Sequence, residues 1–220
     1  MRFLLAGVLS ATVLLCAQGQ ETPAAPSPSK DAPLGIPPRA APTDYEVKAQ
    51  GGPYTVAAEF LGHNIPTDQG TLVTEDYVVV ECAVYGAAGA RATLAATDFT
   101  LRINGRKVEL TGAHFGLVFA SLKDPEWGPS EAEKKSSKTS VGGGGGGRNP
   151  GDPPPPPPKM PIGLRRAMEQ RVQRAALPEG DRPLPQAGLL FFQYRGKTDG
   201  IHQVELTYNG KDGKAKLTLQ

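Results

Sequence analysis

The stretch Asp76–Gly86, DYVVVECAVYG, constrains this chain more than any other. It is rich in β-branched and aromatic residues, which fit a pleated, half-buried surface. By the period-2 rule Val78, Val80, Cys82 and Val84 share one face, while Tyr77, Val79, Glu81, Ala83 and Tyr85 share the other. The first set is wholly apolar and is expected to face a core. The second carries a carboxylate and two phenols and is expected to tolerate water. The run therefore reads as one strand of an antiparallel sheet, buried on one side.

Further strands are expected on both sides of it. Residues 45–65 hold two alternating runs around the turn Gln50-Gly51-Gly52-Pro53. Phe99, Leu101 and Ile103 alternate with Thr100 and Arg102, and Asn104-Gly105 follows at once, a strong hairpin signal returning through Lys107–Leu110. His114–Ala120 reads as another strand or an extended segment. Toward the end come Leu189–Tyr194, Ile201–Tyr208 and, after the turn 209–213, Lys214–Leu219. A helix is expected over 161–177, where Leu164, Met168, Val172, Ala175 and Ala176 form an apolar stripe among arginines, stopped by Leu177-Pro178-Glu179-Gly180.

Two blocks interrupt this pattern, and they hold much of the 27 Gly and 22 Pro. Residues 20–43, Pro/Ala/Ser-rich and without an apolar face, read as an extended tether. Residues 123–160 contain six consecutive glycines, Gly142–Gly147, and six consecutive prolines, Pro153–Pro158. With almost nothing apolar between Trp127 and Met160, this segment cannot offset its ordering entropy and is expected to be disordered. The three C-terminal strands are too few to bury a two-sided core alone. One domain over 44–220, with 123–160 as a long loop insertion, is the economical arrangement, because loop-closure entropy grows only logarithmically with length.

Residues 1–19 read as a secretory signal peptide: Arg2, then an apolar run Phe3–Leu15, then Ala17 and Gly19 before a cut at Gln20. A cut after Ala17 is the second choice. Lipidation at Cys16 is the rival to soluble export, and Leu14-Leu15 rather than a small residue precedes that cysteine. Beyond such a cut Cys82 is the sole thiol, so no internal disulfide is expected and stability rests on packing. The predicted location is exported: periplasm, cell envelope or outside the cell. No transmembrane segment is expected in the mature chain. A net charge of +2 argues against nucleic acid as a partner.

The runs DYVVVECAVYG and ATDFTLRING, followed much later by LPEG, GLLFFQYRG and VELTYNG, resemble exported domains of the telokin-like, immunoglobulin-like sandwich class. The matching positions are Val78–Val84, Phe99–Gly105, Pro178–Gly180, Leu189–Phe192 and Val204–Leu219, about two thirds of the mature chain. The helix and the long insertion depart from that pattern. The resemblance implies an all-β antiparallel sandwich and an exported location rather than an activity.

The chemistry-bearing residues do not assemble into a motif. His63, His114 and His202 lie far apart, with no HxH or HxxxH spacing, so no metal site is expected. There is no GxSxG, and Ser121, Ser136, Ser137 and Ser140 lie in or beside the low-complexity block. Gly142–Gly147 lacks the Lys-Ser/Thr of a phosphate loop. Pro153–Pro158 reads as a spacer in preference to an adaptor ligand, and the arginine-rich helix as packed on the sandwich rather than on a membrane. Cys82 reads as a core thiol. Strand carboxylates Glu59, Glu81, Glu109 and Glu205 leave room for a hydrolase pair, with Glu81 and Glu205 the pair to test. No catalytic, cofactor-binding or metal residue is therefore assigned, and no cofactor. The expected function is a non-catalytic exported module that binds or positions a protein or envelope component, with an exported hydrolase or a metal-handling periplasmic protein as the alternatives.

Overall fold

The computed structural model describes residues 34–125 and 160–220. The stretch read as a signal peptide with Cys16, the part of the expected tether up to residue 33, and the glycine and proline runs with Ser136, Ser137 and Ser140 lie outside the described residues.

The described chain is mostly antiparallel β-sheet. In order it runs β1 (Val47–Gly51), β2 (Tyr54–Gly62), β3 (Asn64–Thr67), β4 (Gly70–Thr74), β5 (Tyr77–Tyr85), β6 (Arg91–Leu94), β7 (Phe99–Ile103), β8 (Leu110–Ala113), β9 (Leu122–Lys123), α1 (Ile162–Ala175), β10 (Gly180–Pro183), β11 (Gln186–Gln193), β12 (Val204–Gly210) and β13 (Gly213–Thr218). Eight strands make one sheet in the order β1-β2-β5-β11-β8-β7-β12-β13. The sheet curls until its edge strands meet: a Cβ built on Gly213 would lie 2.1 Å from the Gly51 carbonyl oxygen. The outcome is sandwich-like, with opposite walls of one nearly closed sheet enclosing the core. Smaller sheets β3-β4-β9 and β6-β10 complete the structure.

Strands from before and after the 126–159 segment alternate within the main sheet. Leu189–Phe192, part of an expected C-terminal strand, is the hydrogen-bonded neighbour of the Asp76–Gly86 strand: β11 pairs antiparallel with β5, Leu190 opposite Val80 and Phe192 opposite Val78. On its other side β11 meets β8, and β12 pairs with β7.

The interior follows the period-2 pattern. Val78, Val80, Cys82 and Val84 point into it and meet Phe99, Leu101 and Ile103 of β7 and Leu206 and Tyr208 of β12. Each such side chain gains about 1.5–3 kcal/mol by leaving water. Phe99 and Tyr208 pack with ring centroids 4.9 Å apart. Beyond β7, Asn104 and Gly105 adopt φ of +52° and +64°, the left-handed pair that a tight turn requires. The return differs from the expected two-residue hairpin, because β8 starts only at Leu110 and residues 104–109 form a wider loop.

The second face of β5 corrects the sequence reading. Tyr77, Val79, Glu81 and Ala83 are all buried. Helix α1 covers the Tyr77–Val79 end with Met168, Val172 and Ala175, together with Ile65 and Leu72 of the β3–β4 hairpin. Residues 34–45 cover the Ala83 end, where Tyr45 packs on Ala57, Ala83 and Ala187. Residues 34–43 were expected to belong to the tether. Instead the Gly35 amide donates to the Arg174 carbonyl (2.7 Å) and Ile36 forms a bridge with Ala187.

The borders of the long insertion move inward as well. Leu122 and Lys123 pair with Thr74 and Val73 of β4, and Met160 packs against the core under α1. His114–Ala120 is not a strand: Phe115–Ser121 forms a 3-10 helix whose first turn is capped by His114, the Gly116 amide donating to Nδ1.

A guanidinium ties α1 to the hairpin. Arg171, 8% exposed, donates to Thr67 Oγ1 (3.0 Å) and to the carbonyls of Gln69 (2.9 Å) and Gly70 (3.0 Å). It caps the β3–β4 turn from the helix, so helix and hairpin form one layer over β5 and β11.

Candidate functional site

Three arrangements concentrate the chemistry of the described residues. The first lies on the outer face of β2 and β5. Glu59 and Glu81 are cross-strand partners, which on adjacent antiparallel strands places their Cβ atoms about 4.5–5.5 Å apart. Arg39 bridges them, its Nη2 lying 2.6 Å from Glu59 Oε2 and 3.0 Å from Glu81 Oε2. The same guanidinium donates through Nη1 to the Asp44 carbonyl (2.6 Å) and lies 4.3 Å from the centroid of the Tyr45 ring. Tyr85 Oη donates to the Arg39 carbonyl (2.8 Å). Burial pushes the Tyr45 and Tyr85 hydroxyls above their ordinary range, so both stay neutral, and Tyr45 Oη accepts from the Arg39 amide (3.4 Å). Arg39 thus occupies the space between the carboxylates and engages both.

The second is a charge ladder on the outer face of β7, β12 and β13. Arg102 pairs with Glu109 and lies 3.7 Å from Glu205, which also meets Lys216 at 3.0 Å. The hydrogen bond from Arg102, with a second from Thr100, holds the Glu109 carboxyl below the usual range.

The carboxylate pair of the alternative hydrolase reading is not brought together. Glu81 on β5 and Glu205 on β12 are separated by β11, β8 and β7, so they stand on opposite walls of the curled sheet, not facing one another across a site as glycosidase carboxylates do. The pair that does meet is Glu59 with Glu81.

The other candidates stay apart. Cys82 is fully buried in the interior, and burial, with a smaller contribution from the Glu81 charge, pushes its thiol up. Ser121 Oγ lies 2.7 Å from Thr74 Oγ1 and donates to the Val118 carbonyl, with no basic side chain among its partners. His114 is spent as a cap, and His202 is exposed, its amide donating to Asn104 Oδ1 (2.8 Å). Among the described residues no three His, Cys, Asp or Glu side chains gather as a metal would need, and no helix is long and apolar enough to cross a membrane.

The third arrangement is a groove of about 720 Å³ that no sequence motif announced. Its floor is the outward face of the β3–β4 hairpin, Asn64, Pro66 and Thr71. Its walls are Phe60, Leu61 and Gly62 at the end of β2, with Thr198 and Gln220 opposite. Pro66 and Thr71 are cross-strand partners, whereas Ile65 and Leu72, on the other side of the same hairpin, are buried under α1. One residue pins the wall. His63, between β2 and β3, has Nδ1 2.7 Å from the Tyr77 carbonyl oxygen and Nε2 2.8 Å from that of Gly196, and its ring stacks on Tyr194. It joins the β2–β3 corner, the start of β5 and the 194–200 loop that carries Thr198. The sequence assigns His63 no role; its partners come from segments that only the fold brings together.

No protein-family model matches the chain, and no curated protein or solved structure is significantly similar to it.

Proposed function

We propose that this protein is an exported, non-catalytic binding module of the telokin-like, immunoglobulin-like class, holding a partner at the cell envelope or outside the cell through the groove beside β3 and β4. The observation that carries this reading is the contrast between the groove and the strand carboxylates. Arg39, Arg102 and Lys216 pair with the carboxylates and occupy the space beside them that a substrate would need. The groove instead offers an open surface lined by uncharged side chains, with a volume of about 720 Å³. A leader-like N-terminus followed by a Pro/Ala-rich segment supports delivery outside the cytoplasm.

The test is a pull-down from envelope extract with the mature chain. A partner is expected that is lost when Pro66→Ser and Thr71→Arg alter the groove and retained when Arg91→Gln alters the surface beside Tyr54, at the other end of β2. Recovery of neither protein nor glycan above background, or a partner indifferent to the groove changes, refutes the reading.

A hydrolase is the second reading, favoured only by the register of Glu59 with Glu81. It requires hydrolytic activity that disappears in both Glu59→Gln and Glu81→Gln while the fold persists.

A further inference from the structure

We infer that the groove beside β3 and β4 recognises a neutral, polyhydroxylated chain, a glycan segment, rather than a charged ligand or a peptide strand. The inference rests on the binding-module reading above and specifies its ligand.

No charged side chain lines the groove. Its polar groups are two amides, Asn64 and Gln220, and two hydroxyls, Thr71 and Thr198, each able to donate and to accept. Sugar hydroxyls also do both, so such groups match them without a net charge to neutralise. Among the described residues the Thr71 and Thr198 hydroxyls have no hydrogen-bond partner. Asn64 Nδ2 donates to the Leu61 carbonyl (3.2 Å), which orients its Oδ1 as an acceptor. Pro66 supplies apolar surface on which the C–H face of a pyranose ring can rest, while Phe60 and Leu61 reach the groove only in part, because they pack against the two cores on opposite faces of β2.

The shape agrees. About 720 Å³ exceeds what one sugar ring needs and suits a run of several. His63 lies between the Tyr77 carbonyl and the Gly196 carbonyl of the 194–200 wall, which restricts that wall and lowers the ordering cost left for the ligand to offset.

A peptide added as a strand fits less well. Strand addition needs a ladder of free N–H and C=O groups along an edge. The groove floor is the face of the hairpin rather than its edge, and Pro66 removes an N–H from β3.

The experiment is a titration of the mature chain, followed by amide chemical shifts, with cellohexaose, laminarihexaose and chitohexaose as neutral probes. Oligogalacturonate and an uncharged Ser/Gly/Ala peptide serve as comparison ligands. At least one neutral probe is expected to produce saturable shifts confined to 60–72, 198 and 220. The double substitution Thr71→Val, Thr198→Val is expected to weaken that probe about tenfold or more while thermal stability holds. No shift from any neutral probe at about 10 mM, where a Kd near 1 mM would be well saturated, overturns the inference. So does tighter binding of the oligogalacturonate, or equal shifts from the peptide. A protein captured in the pull-down, sensitive to the groove while every glycan is silent, overturns the glycan assignment and leaves the binding-module reading standing. An empty pull-down together with silent probes removes both.

Discussion

Glu59 and Glu81 stand directly opposite one another on neighbouring strands, and the cation that bridges them among the described residues, Arg39, comes from a segment that runs before β1. Like charges in register destabilise a sheet, so the arginine turns an unfavourable pair into an attachment point. Arg39→Gln is expected to lower stability by about 1–3 kcal/mol in urea unfolding, since it leaves a mostly buried carboxylate facing another. Adding Glu81→Gln to that variant should recover part of the loss. An Arg39→Gln protein as stable as the parent would show that the bridge contributes nothing.

Arg171 is the counterpart on the other cover. Arg171→Met keeps an apolar stem but leaves the Gln69 and Gly70 carbonyls uncapped. The expected cost is about 1–3 kcal/mol. Hydrogen exchange should quicken over 67–74 while β12 and β13 stay protected.

Cys82 is predicted to ignore a thiol reagent in the native protein and to react fully on unfolding, because its fully buried thiol resists ionisation. Cys82→Ser should cost about 1–3 kcal/mol by placing a hydroxyl among valines. Rapid labelling of the native chain would contradict the packing described above.

Gly188 lies where the chain leaving α1 crosses β11. A Cβ there would sit 2.4 Å from Leu177 Cα and 2.5 Å from Leu177 N, both backbone atoms held by the Leu177 N–H to Leu189 carbonyl bond. Gly188→Ala should therefore cost about 3 kcal/mol, visible as a fall in thermal midpoint. A neutral substitution would mean that this crossing is loose.

Residues 34–125 and 160–220, expressed together as separate chains, are expected to copurify as a folded pair, since β11 needs β5 and β12 needs β7. Neither half should give dispersed amide shifts alone. Two independently folded halves would refute the single sheet.

The strands and the helix were legible because their signals are local. Val78, Val80 and Val84 alternate, and Leu164, Met168 and Val172 recur at helical spacing. What covers a strand is not local. Glu81 marks a wet face in sequence, yet its partner Arg39 stands 42 residues earlier in a segment that reads as linker. His114–Ala120 mixes apolar residues without a period, and tertiary packing rather than propensity makes it a 3-10 helix. The groove left no trace at all, being assembled from β2, the β3–β4 hairpin, Thr198 and Gln220, none of them unusual alone.

The pairing of β5 with β11 also sets a clock. Glu81 and Leu189 are partners, yet the ribosome makes them more than a hundred residues apart, at about 5–20 residues per second. For those seconds YVVVECAVY has one neighbour, β2, and an open edge of the kind that recruits copies of itself. Whatever keeps nascent chains apart must act on this stretch until the last third of the protein has been synthesised. Substitutions there should lower yield before they lower the stability of molecules that do fold.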